Sequence, residues 1–182
     1  MAPIKVSAPI KGEPEKFESE LQKEIYQKLK SLEIGYERVV NDPAVTMEEC
    51  KYIDDAFGIS TIKTLLLNNR QKTNFYLLCM PAEKPFITKD FGAELGISRV
   101  SFADSDTLYQ LLQTPRGAAT PLSLIIDKEH TVNFVIDKEL LNRDKLVCTD
   151  GTLHGFMALS TKDLVEKYIP ACGHETKIIS LA

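Results

Sequence analysis

Between Thr114 and Pro121 the chain reads Thr-Pro-Arg-Gly-Ala-Ala-Thr-Pro, and the apolar run Leu122 to Ile126 follows at once. Gly117 frees one backbone position and Pro121 fixes another, so the segment reads either as a binding loop, its amides closing around a small group, or as an ordinary loop. Lys63 interrupts the apolar run Ile62-Lys63-Thr64-Leu65-Leu66-Leu67. A lysine there is costly to bury without an anion or a cleft, so it is either a snorkelling edge lysine or a contact for phosphate or carboxylate. Arg116, inside the loop, and Lys72, in the polar stretch Asn68 to Asn74, are two more cations that would either touch phosphates or stay solvated. His154, between small residues, would either donate a hydrogen bond to a substrate or face solvent. His130, His174 and the pair Asp54-Asp55 read as surface groups. The chain has no G-x-S-x-G elbow, no cysteine with an evident histidine partner and no metal-ligand spacing, so neither a metal nor a cofactor is expected.

The elements that must carry these residues follow from periodicity and punctuation. Residues 1–14 read as a flexible arm and residues 15–182 as a single domain. Phe17, Leu21, Ile25, Leu29 and Leu32 mark one face of a helix that Gly35 would end. Tyr36 to Val40 reads as a strand, and Thr46-Met47-Glu48-Glu49 has the capping-box pattern that starts a second helix running to about Gly58. Thr61 to Leu67 and Phe75 to Met80 suit a hairpin. A helix Thr88 to Leu95, a strand Arg99 to Ala103 and a helix Ser105 to Leu112 capped by Ser105 come next. The spacing then predicts a second hairpin, Leu122 to Ile126 with Val132 to Ile136, followed by strands at Lys145 to Cys148 and Gly155 to Leu159. A last helix starts at Ser160 and ends before Pro170, and Lys177 to Leu181 would add an edge strand. Hairpins mixed with helices imply an α+β fold with a mixed, largely antiparallel, barrel-like sheet and surrounding helices.

At 182 residues the chain is long enough to bury its own core, and its four cysteines lack zinc spacing, so they read as thiols. No signal segment or membrane-length apolar run is present, so a cytoplasmic protein without a membrane partner is expected. With 22 basic against 26 acidic side chains, nothing attracts a polyanion broadly. DNA is therefore excluded as a partner, and any nucleic-acid contact must be local.

Taken in order, Thr46-Met47-Glu48-Glu49, the Lys63 strand, Arg99 to Ala103, Gly117 to Pro121 running into Leu122 to Asp127, and the closing Leu159 to Leu164 carry a resemblance. The chain resembles the YbaK and prolyl-tRNA synthetase-associated editing domains. Within them it is similar to the free-standing ProXp-ala or PrdX-like alanyl-tRNA(Pro) deacylases. The resemblance implies a trans-editing hydrolase acting on the acceptor end of tRNA(Pro), with prolyl-tRNA synthetase as a partner. It implies that Lys63 holds the terminal phosphate or ribose, that Thr46 and Gly117 to Pro121 line the aminoacyl pocket, and that a water held by backbone groups attacks with help from a ribose hydroxyl. An aminoacyl ester is already activated, so orienting water and stabilising the oxyanion suffices without a nucleophile. Where this branch carries a His-Pro pair and then an asparagine, the chain has Thr149-Asp150 and Leu153, and it has Thr64 where an asparagine is common. Those positions must do different work. Two further readings stay open: a non-catalytic aminoacyl-tRNA or amino-acid binding module, and a deacylase for cysteine, serine or threonine.

Overall fold

Helix α1 (Glu20–Ser31) shows how the sequence builds this molecule, which is described for residues 3–182 by a computed structural model. Ser19 accepts from the Gln22 N–H at its N-terminus, and Leu21, Ile25, Tyr26 and Leu29 form its buried stripe. Each such side chain contributes about 1.5–3 kcal/mol on leaving water. The helix stops at Ser31 rather than at Gly35, because Glu33 supplies the left-handed residue at φ 56°.

The fold is α+β with two open sheets rather than one closed barrel. The smaller has the order β1 (Tyr36–Val40), β7 (Gly155–Ser160), β6 (Lys145–Thr149), all antiparallel. The larger runs β4 (Val100–Phe102), β2 (Ile62–Asn69), β3 (Phe75–Pro81), β5 (Val132–Asp137), β8 (Thr176–Ile179). Here β2 pairs antiparallel with β3 and β4, whereas β5 runs parallel to β3 and β8 parallel to β5. A single parallel bridge, Thr61 to Val147, joins the sheets. Helix α1 packs over the main core, with Leu77, Phe134, Leu146 and Met157 from both sheets beneath it. α2 (Met47–Phe57) covers the small sheet through Ile53 and Cys50, and α3 (Thr88–Leu95) covers the opposite face of the large one through Phe91.

Several elements differ from the sequence expectation for identifiable reasons. Leu122 to Ile126 is not a strand: Pro121–Ile126 is a 3-10 helix capped by Thr120, with every residue but Ile126 buried. A short, mostly buried apolar run has no period that separates strand from helix. No second hairpin forms, and β5 instead enters the sheet beside β3. Helix α4 (Ser105–Leu112) is capped by Asp104, whose Oδ1 accepts from Thr107 N–H at 2.8 Å, not by Ser105. The final helical run (161–171) passes through Pro170, because a π turn over Leu164–Tyr168 precedes it and Ile169 N–H reaches back to the Leu164 carbonyl. Residues 5–10, expected as a loose arm, lie along the free edge of β1, with Ile10 and Arg38 exchanging both backbone hydrogen bonds. Pairing there covers an exposed strand edge.

His174, expected at the surface, is buried: its Nε2 lies 2.9 Å from Asp127 Oδ2, and its ring meets that of His130 edge-on. Asp127 also accepts from the N–H groups of Thr131 and Val132. Burial raises the Asp127 carboxyl, but the His174 hydrogen bond and the two amides outweigh it and hold the group below the usual carboxylate range. A carboxyl depressed in the folded state stabilises the fold above its unfolded value, about 3.9, and that stability is lost as pH falls through the folded value. Asp127→Asn should therefore lower Tm at pH 7 and flatten the fall of Tm below about pH 4, as thermal melts across pH would read.

Candidate active site

A cleft of about 780 Å³ opens where the two sheets meet. Its floor is an uncovered strand edge. β4 pairs with β2 only from Leu67 to Asn69, Ala103 N–H adds a bond to the Leu66 carbonyl, and Thr61 is bridged to β6, which leaves the intervening stretch without a neighbour on that side. In an antiparallel ladder the N–H and C=O of one residue point to the same side, and the side alternates along the strand. Since the Leu66 carbonyl faces β4, the N–H and C=O of Thr64 face the cleft. Neither has a hydrogen-bond partner among the described residues.

The opposite wall is the glycine loop. Ala118 N–H closes a turn onto the Pro115 carbonyl at 3.0 Å, with Gly117 in the third position at φ +91°. That is the pattern of a type II turn, which needs positive φ there. A Cβ on Gly117 would sit 2.8 Å from Val45 Cγ1, so the loop packs against the start of α2 without room for a side chain. Gly117 and Ala119 both border the cleft, and their amides make no hydrogen bond within the described residues. Thr149 holds the loop from behind: its hydroxyl donates to the Ala118 carbonyl at 2.6 Å and accepts from Gly151 N–H.

Lys63, Thr46, Arg116, Gly117 and Ala119 thus meet at one cleft, as does Thr149. Ala118, Thr120 and Pro121 are buried behind it and shape rather than line it. Thr46 borders the cleft with its hydroxyl occupied as the helix cap, accepting from Glu49 N–H at 3.1 Å. Lys72 lies beyond the lining in the β2–β3 turn. Its charge still reaches Asp104 on the rim, where the Thr107 amide and hydroxyl are the main causes that hold the carboxyl below its usual range. His154 is exposed and does not border the cleft; its Nδ1 lies 2.9 Å from Glu18 Oε1. Asp54, read as a solvated face, accepts from both the N–H and hydroxyl of Thr61.

The Lys63 ammonium donates to the Lys84 carbonyl at 2.5 Å. Burial lowers it from the usual lysine value, and Glu83 opposes that shift. Two thiols border the cleft, and burial pushes Cys50 up to about 11 and Cys148 up to about 12. Both stay protonated near neutrality. The polar groups at the cleft are therefore backbone amides, hydroxyls, two cations and, on the rim, the Asp104 carboxylate, and the amides and cations suit orienting water and stabilising an oxyanion.

Of the positions at which the resemblance expects other residues, Thr149 alone borders the cleft together with Thr64. Asp150 turns away into the α1 side, where Gln22, Tyr26 and Thr152 donate to it. The Leu153 carbonyl accepts from Asn41. Sequence reasoning missed the open Thr64 backbone, which has no side-chain signature, and the apolar rim formed by Val45, Met47 and Phe102.

The family described as aminoacyl-tRNA editing domain matches residues 42–167. The prolyl-tRNA editing protein ProX of Acetoanaerobium sticklandii is 29% identical over 157 residues, covering 86% of this chain and 95% of that protein. Prolyl-tRNA synthetase associated domain-containing protein 1 of Mus musculus is 31% identical over 167 residues, covering 89% and 97%. Among solved structures, hypothetical protein APE2540 superposes with a TM-score of 0.67 at 21% identity over 88% of this chain and 99% of its own. A candidate trans-editing enzyme for prolyl tRNA synthetase gives 0.66 at 16% over 90% and 99%, so the fold is shared.

Proposed function

The chain belongs to the aminoacyl-tRNA editing domain family, and on that premise we propose that it is a trans-acting deacylase that hydrolyses mischarged tRNA, with alanyl-tRNA(Pro) as the substrate. One observation carries the reading: Gly117 and Ala119, whose amides have no partner among the described residues, and Thr64, whose main chain is unpaired on that side, border one cleft together with Lys63 and Arg116. The cations take the phosphate of the acceptor end. The loop amides take the ester carbonyl as it becomes an oxyanion, and the Thr64 carbonyl takes the α-ammonium of the amino acid.

Water adds to the ester carbon, the bond to the terminal ribose oxygen breaks, and that oxygen leaves with a proton relayed through the neighbouring ribose hydroxyl. The products are the free amino acid and uncharged tRNA. Among protein groups, the positioned dipoles do the work, in keeping with an ester that is already reactive. Volume separates alanine from longer side chains only weakly, about 1–3 kcal/mol per methylene. Exclusion of proline must come from the rigid wall where Val45 backs Gly117. The similarity to the prolyl-tRNA editing protein ProX and to a prolyl-tRNA synthetase associated domain protein supports tRNA(Pro) as the carrier and the synthetase as the partner.

Purified protein should release alanine from alanyl-tRNA(Pro) faster than serine, cysteine or threonine from their tRNA esters, and should spare prolyl-tRNA(Pro). Hydrolysis of none, with binding of an uncleavable alanyl analogue, would establish a binding module instead. Lys63→Ala should lower kcat/KM about 100-fold, equivalent to roughly 2.7 kcal/mol, with Tm nearly kept because Lys63 is only half-buried and leaves no core cavity. An unchanged rate removes Lys63 from the mechanism.

A further inference from the structure

Phe102 ends β4 at the mouth of the cleft and is 59% exposed, an unusual state for a phenylalanine in a strand. It is not loose. Phe86 packs against it at 5.5 Å between ring centroids and 63° between planes, and Phe86 rests in turn on the fully buried Phe91. The ring is thus held from one side and presents the rest of its surface to the mouth, where Val45 and Met47 add exposed apolar surface. Arg116 and Lys63 border the same cleft, as does Asp104, two residues from Phe102.

A fixed aromatic ring beside cations is complementary to a planar heterocycle joined to a phosphate: the base has a π-face to stack, and the phosphate has charges to meet. We propose that Phe102 is the stacking platform for the terminal base of a single-stranded nucleic-acid 3′ end. That this end is a tRNA acceptor rests on the editing reading above. The stacking itself rests on Phe102, Phe86 and the surrounding cations. Because every base offers a π-face, the platform supplies affinity and orientation rather than base identity.

The chain contains no tryptophan, so Phe102→Trp introduces a single fluorophore at the platform. Titration with the trinucleotide CCA should quench its emission saturably, and the same oligonucleotide lacking its terminal base should not. Phe102→Ala should weaken CCA binding about 10- to 100-fold, read by calorimetry, and raise KM for charged tRNA more than it lowers kcat. Phe102 is exposed, so its truncation should leave the folded far-ultraviolet spectrum intact. If Phe102→Ala misfolds, the Phe102→Trp titration decides alone. Absent quenching, or equal quenching with and without the base, overturns the platform, as does quenching by an apolar peptide but not by CCA, which would mark a protein-docking surface. Hydrolysis of mischarged tRNA with CCA binding unchanged in Phe102→Ala would sink the platform and leave the editing reading standing. Quenching by CCA in a protein that hydrolyses no mischarged tRNA would do the reverse.

Discussion

Replacing Gly117 by valine should abolish detectable deacylation and lower Tm by several degrees. The position holds φ +91°, where a β-branched residue is strained, at a cost of about 1–3 kcal/mol. The added Cβ would stand 2.8 Å from Val45 Cγ1 and 3.3 Å from Val45 Cα, so the contact involves backbone as well as side chain. The loop must move away from α2. It is not free to do so smoothly, because Thr149 fixes the Ala118 carbonyl at 2.6 Å and Pro121 leads into a buried 3-10 turn. A displacement of about 1 Å at reacting groups already costs about 100-fold in rate, and here the displaced groups are the amides assigned to the oxyanion. Gly117→Ala, with the same positive φ and no γ carbons, should fall between wild type and Gly117→Val. Single-turnover rates on alanyl-tRNA(Pro), with thermal melts on the same samples, check both variants. Wild-type turnover by a Gly117→Val protein with unchanged Tm would reduce the loop to a connector.

The largest stability effect is expected at Asp150. Its carboxylate is 2% exposed and accepts from Gln22 Nε2 at 3.0 Å, the Tyr26 hydroxyl at 2.8 Å and the Thr152 hydroxyl at 2.7 Å. Asp150→Ala strands these donors away from water and should lower the unfolding free energy by about 3–5 kcal/mol. Tyr26→Phe removes one donor and leaves the rest, so its loss should be about 1–1.5 kcal/mol. Urea denaturation with an unchanged m-value would read both, and a loss under about 1 kcal/mol for Asp150→Ala would mean that the carboxylate is as dispensable as a surface charge. The cradle also explains Gly155: a Cβ there would meet the Asp150 carboxylate below 3 Å. Next in sequence is Thr149, the clamp on the glycine loop, so partial collapse at Asp150 should reach the cleft through that residue.

Much of this was legible along the chain because its causes are local. Thr46 to Glu49 announced a helix start, since the cap needs only a hydroxyl and an amide three residues on. The stripe Leu21, Ile25 and Leu29 announced α1, and the β2–β3 hairpin followed from two apolar runs around polar residues. Gly117 signalled a freed backbone position, which the structure uses at φ +91°. The mistaken cap at Ser105 is of the same local kind, since Asp104 and Ser105 both carry an acceptor and geometry alone chose between them.

Other features have no local signature. Leu122 to Ile126 became a 3-10 helix rather than a strand, and β5 paired with β3 instead of with that run, because the choice depends on which surfaces bury the most apolar area together. His154 went to Glu18 and His174 to Asp127, partners more than 40 residues away, which no spacing reveals. By itself, the sequence determined the Thr46 cap, the amphipathic faces, the glycine turn and the side chains available for chemistry. Tertiary structure alone decided that β4 stops short along β2, which opens the Thr64 main chain to the cleft that Gly117 also borders, through backbone groups that every residue carries.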